Sequence, residues 1–164
     1  MKEVKLRRYQ NLLTISGLGV IAFSLWSIMK SFLFIFLRNE VFTEALKMKN
    51  VPDDFRVRAI LYSIFGSIIL FDFLLRLYVG LSARAEGFGK KKGYAYIVVA
   101  FLIAIASLFS IVMIFFDIRF TGVTSLMELI VSIIVEITSA VVMIELIAAA
   151  FTVKKLNREL GEVR

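Results

Sequence analysis

The chain has 164 residues, 60% hydrophobic and 20% charged, with a formal net charge of +7 and neither cysteine nor histidine. Those absences exclude disulfides, thiolate nucleophiles, imidazole bases and the usual zinc, haem and iron–sulfur ligands. A mean hydropathy of +0.87 with a single proline leaves no room for a sizeable soluble domain beside the apolar segments, so one membrane domain over 1–164 is expected.

Lys2, Lys5, Arg7 and Arg8 open the chain and are followed by an apolar stretch at 12–37. A secretory signal also begins with basic residues before an apolar run. This run, however, exceeds the roughly 7–15 residues of a signal core and lacks an A-x-A-like cleavage site, so a retained first helix is expected. The next segment, Arg38 to Arg58, is the longest extramembrane element. It has room for a short interfacial helix but not for a domain. Asp53-Asp54 beside Pro52 fits a turn or a helix cap.

The second stretch, 60–81, carries Asp72 and Arg76 and leads into Ser82-Ala-Arg-Ala-Glu-Gly87. Next comes the run Gly87-Phe-Gly-Lys-Lys-Lys-Gly93. Its glycines suggest a phosphate-cradling turn only superficially, because no strand precedes them and the Walker spacing is absent. The third stretch, 94–116, has only Ser107 and Ser110 in its interior and is the expected lipid-facing helix. The fourth, 123–151, holds Glu128, Glu136 and Glu145. Its helix is expected to continue past the membrane surface, since Lys154, Lys155, Arg158 and Glu159 follow without Gly or Pro. Small residues at Ser63/Ser67, Ala100/Ala104 and Ala148–Ala150 are the expected helix-packing positions.

Each stretch meets the length of about 20 residues that crosses a bilayer's hydrocarbon core. The expected fold is therefore an all-α integral membrane four-helix bundle. Basic residues near helix ends stay on the cytoplasmic side. One face has Lys2, Lys5, Arg7, Arg8, Arg84, Lys90, Lys91, Lys92, Lys154, Lys155, Arg158 and Arg164; the other has Arg38, Lys47, Lys49, Arg56, Arg58 and Arg119. Both termini are accordingly expected inside, in the cell membrane, with a bacterial plasma membrane as the default from the lack of a targeting segment. Topology accounts for most of the basic excess, so nucleic acid is not an expected partner. A patch of Arg84, Glu86, Lys90, Lys91 and Lys92 is expected to meet anionic headgroups or a protein partner.

Six ionisable residues fall within the spans: Lys30, Asp72, Arg76, Glu128, Glu136 and Glu145. Charges in hydrocarbon are costly and face a partner, the bundle interior or water. Depths counted at about 1.5 Å per residue match Lys30 with Glu128 and Arg76 with Glu145. Asp72 can also pair with Arg76 four residues on. Glu136 is left alone near the midplane. It stands nine residues from Glu145, about 180° around the helix, so one carboxylate can face the bundle and the other a second subunit.

The chain offers no catalytic, cofactor-binding or metal-binding set. The leading expectation is a non-enzymatic multi-pass membrane protein, an accessory or interaction subunit held together by intramembrane ion pairs, as a homo-oligomer or with a larger membrane partner. The main alternative is a proton- or cation-coupled transporter or channel, oligomeric, with Glu136 and Asp72 in the path. No inverted repeat supports it. A weaker alternative is a metal-dependent enzyme of lipid metabolism.

Overall fold

A computed structural model of the chain describes residues 2–37, 55–121 and 126–161. They form four helices, α1 (Lys2–Leu37), α2 (Phe55–Gly87), α3 (Ala95–Thr121) and α4 (Leu126–Gly161). Every helix contains a segment long and apolar enough to cross a membrane: Lys2–Met29, Tyr62–Gly87, Ala95–Met113 and Ile133–Gly161. The interfacial helix considered for the first loop lies outside the described residues.

The helices outrun the apolar stretches that announce them. Helices α1 and α4 have 36 residues each, a length of about 54 Å against a hydrocarbon core of about 30 Å. Their charged ends, Lys2–Arg8 and Lys154–Glu159, contain no Gly or Pro to stop the helix. As the sequence suggests, α4 continues through its basic tail, as far as Gly161.

The contacts fall into two compact units, Met1–Ile21 with Arg76–Arg164, and Ala22–Leu75. In the first unit, α1 and α2 approach until their backbones nearly touch. A Cβ added to Gly17 would lie 2.8 Å from the carbonyl oxygen of Gly80, and one added to Gly80 would lie 2.7 Å from that of Gly17. Gly87 continues the seam, where a Cβ would run into Thr14 and the carbonyl of Gln10. Gly80, Ala83 and Gly87 recur at three- and four-residue steps, the small-residue spacing that lets helices close up without an aqueous driving force.

Helices α3 and α4 pack along two matching stripes. Tyr96, Ile97, Ala100, Ile103, Ala104 and Ser107 are buried on α3; Ser139, Ala140, Met143, Leu146, Ala149, Ala150 and Val153 are buried on α4. Both follow the helical repeat, and Ala100, Ala104, Ala149 and Ala150 behave as packing positions. Ser63 and Ser67 do not: both are exposed, and the Ser67 hydroxyl donates to the Ser63 carbonyl at 2.7 Å. The expectation of a lipid-facing third helix is also corrected. Of the apolar span of α3, 33% is buried against 11% for that of α2. Uniform hydrophobicity hides which face of α3 is covered, because the alanines that make its contact are apolar like everything around them.

The α1–α2 contact makes a sharp prediction. Gly80→Ala should cost about 1–3 kcal/mol, as overpacking does, and lower the thermal unfolding midpoint followed by circular dichroism in detergent. Gly66→Ala meets nothing within 4 Å and should be neutral or slightly stabilising. Equal behaviour of the two variants would refute the contact.

Candidate functional site

The polar centre of the first unit lies where α2 ends and α3 begins. Helix α2 closes with a Schellman motif: the Gly89 N–H donates to the Glu86 carbonyl at 2.9 Å and the Lys90 N–H to the Ala85 carbonyl at 3.1 Å. The motif requires a left-handed residue, and Gly89 has φ 85°. Its role is helix termination, which accounts for this glycine without any phosphate. The turn then leads to Tyr94, whose carbonyl accepts the first N–H bonds of α3, from Ile97 at 3.0 Å and Val98 at 3.2 Å.

That turn sets α3 beside the last residues of α2. Glu86 is buried at 4% exposure, unusual for a carboxylate unless it is paired. Both of its oxygens are engaged. Oε1 lies 2.9 Å from Lys154 Nζ, and Oε2 accepts the Tyr96 hydroxyl at 2.5 Å. Lys154 Nζ also donates to the Lys92 carbonyl at 2.6 Å and stands 4.7 Å from the Tyr94 ring centre and 5.7 Å from that of Tyr96. A residue from each of α2, α3 and α4, together with the connecting turn, thus meets at one carboxylate. At the same end Lys2 and Glu159 form an exposed pair at 2.9 Å, so the start of α1 and the end of α4 lie together.

The sequence offered Glu86 as part of an exposed basic patch. Four residues of that patch, Arg84, Lys90, Lys91 and Lys92, are exposed, with the Arg84 guanidinium 5.6 Å from the Phe88 ring centre. Glu86 itself turns inward. In the sequence Lys154 counted only as a topology charge and as part of the tail of the fourth helix. The available signal was positional: Val79, Ser82, Ala83 and Glu86 share one face of α2, and Lys154 closes a face of α4 that carries Met143 and Ala150. Opposite charges ending two small-residue stripes mark a buried pair.

Deeper in the unit, Arg76 Nη1 donates to Ser139 Oγ at 3.0 Å. Asp72 and Arg76 are both half-buried, and neither lacks a partner. The expected Arg76–Glu145 pair is absent among the described residues: Glu145 is exposed on α4 with no hydrogen bond or ion pair there. Matching depth was not enough, since Glu145 lies on the side of α4 away from its buried stripe. Glu136 is half-buried and likewise has no such partner among the described residues. The side chains of Lys30 and Glu128 lie outside the described ones. Ser107 Oγ is buried with no hydrogen-bond partner among the described residues, and no three His, Cys, Asp or Glu residues gather there to hold a metal. No protein-family model, curated protein or solved structure matches the chain.

Chemically, this arrangement is a lock. A carboxylate with one oxygen on an ammonium and the other on a phenol has both oxygens engaged, and removing the ammonium leaves a buried charge uncompensated. Lys154→Met should therefore cost about 3–5 kcal/mol and Tyr96→Phe about 1–3 kcal/mol in reversible unfolding in micelles. Glu86→Leu combined with Lys154→Met should recover much of the first loss. Additive costs in that double variant would mean the two residues are not coupled.

Proposed function

We propose that the protein is a non-enzymatic multi-pass membrane protein acting as an accessory or interaction subunit, with both termini and the basic end in the cytoplasm. The observation that carries this reading is the Glu86–Lys154–Tyr96 cluster, in which both carboxylate oxygens are engaged. The most buried charge among the described residues serves to join helices, and its engaged oxygens make it a poor base or nucleophile. Large apolar side chains are exposed along the helices, among them Leu25, Ile68, Phe71, Phe101, Phe109 and Ile134. Such surfaces are solvated by lipid or covered by another membrane protein.

Orientation rests on the basic count, and the cell membrane is the default site. Arg84, Lys90, Lys91 and Lys92 would then meet anionic headgroups, each contributing about 1 kcal/mol. Phe88 and Tyr94, exposed at 66% and 62%, supply the aromatic contacts of an interface. Replacing Lys90, Lys91 and Lys92 by Gln should strip co-purified phosphatidylglycerol, read by native mass spectrometry. Unchanged retention would remove the lipid contact.

A second reading, proton or cation transport, draws on Glu136, half-buried and without an ion-pair partner among the described residues. Flux into proteoliposomes decides between the two. The accessory reading expects none above protein-free vesicles, whereas flux that Glu136→Gln abolishes in a folded protein would establish transport.

A further inference from the structure

On the outward side of α4, Ile134, Thr138, Val141, Glu145, Ala148 and Thr152 succeed one another at steps of four, three, four, three and four residues. That rhythm keeps side chains in a single seam along a helix and is the rhythm by which two helices interlock. Among the described residues it is largely open. Ile134 and Val141 are 57% and 51% exposed; Thr138, Glu145 and Ala148 are exposed and Thr152 half-buried. The two threonine hydroxyls are satisfied within the helix, Thr138 Oγ1 donating to the Ile134 carbonyl at 2.7 Å and Thr152 Oγ1 to the Ala148 carbonyl at 2.8 Å. They present small surfaces and make no demand on a neighbour. Glu145 does. It has no hydrogen bond or ion pair among the described residues and stands about 13 Å along the axis from Lys154, between Ile144 and apolar residues of the seam. An unpaired carboxylate at such a place is costly and faces a partner.

We propose that this seam docks a transmembrane helix of a partner protein, one that carries a Lys or Arg at the depth of Glu145. The inference rests on the accessory-subunit reading and names the surface and chemistry it would use. Charge complementarity favours a different protein over a second copy. In a two-fold pair of copies about an axis along the membrane normal, the same seam would set Glu145 against Glu145, like charges in a low-dielectric medium. Within the chain, Arg76 turns instead to Ser139, which lies on the buried side of α4. Ala148, next to Glu145 in the seam, allows a partner backbone to come close, and a guanidinium or ammonium there would take the carboxylate in a charge-assisted hydrogen bond.

The test uses the full chain, fluorescently labelled, in phosphatidylcholine vesicles with model transmembrane peptides of Leu and Ala. One peptide has a single central Arg, and the other has Leu there. Energy transfer should report association of the Arg peptide about tenfold tighter than the Leu peptide, toward the upper range for one interhelical polar contact in lipid. Glu145→Leu should erase that preference, and Ala148→Ile should weaken binding of the Arg peptide while the unfolding midpoint is kept. Equal association of both peptides, or an Arg preference that survives Glu145→Leu, would overturn the proposal. Self-association of the protein that depends on Glu145 would overturn it in favour of a second copy. Peptide binding is measured apart from flux: a failed seam in a flux-free protein leaves the accessory reading with another surface, and flux removes that reading whatever the peptides do.

Discussion

The carboxylate of Glu86 is buried, and the geometry of one end of the first unit follows from that constraint. A buried charge must be neutralised and its lone pairs filled. The cation comes from α4 as Lys154 and the hydroxyl from α3 as Tyr96. Neither could arrive unless the chain turned sharply after α2, which Gly89 permits by its positive φ. The Lys92 carbonyl, delivered by the same turn, takes a further proton of the ammonium. Three helix segments and their connection are thereby fixed relative to one another by a handful of directed bonds.

For helices able to cross a membrane, close packing and directed bonds replace the hydrophobic drive that gathers helices in water. Apolar side chains gain little by leaving lipid for one another, so helices of this kind hold together by close packing and by polar contacts between them. Close packing is provided where Gly17 meets Gly80, and where the alanines of α3 and α4 interleave. Polar contacts are provided at two levels, Glu86 with its partners and Arg76 with Ser139. The two devices occupy the same region of the chain, which explains why the first unit gathers the start of α1, the end of α2, α3 and α4.

Seen from the sequence, the four spans and the long reach of α4 were legible because length and mean hydropathy suffice to find them. The basic patch after α2 was legible as composition. Glu86 was not legible as a buried residue, since a charge just beyond an apolar stretch looks like any interfacial charge until its helical face is traced back through Ala83, Ser82 and Val79. Nor was the Gly17–Gly80 contact: the Gly80, Ala83, Gly87 spacing lies within α2, but the partner it meets on α1 is given only by the packing of two helices. The depth match of Arg76 with Glu145 used one coordinate of three: rotation about α4 carries Glu145 outward, while Arg76 meets Ser139.

By itself, then, the sequence determined that this is a helical protein with four segments able to cross a membrane, that basic residues cluster at its start, after its second apolar stretch and in its tail, and that its chemistry lacks thiol and imidazole groups. These properties depend on composition and on runs of residues, which are additive along the chain. The tertiary structure alone decided which charges are paired, which helix is least covered, and that Glu145 is left on an open face. Those properties depend on azimuth and on distances between helices. In a segment apolar on every side, no hydrophobic periodicity records which face turns inward.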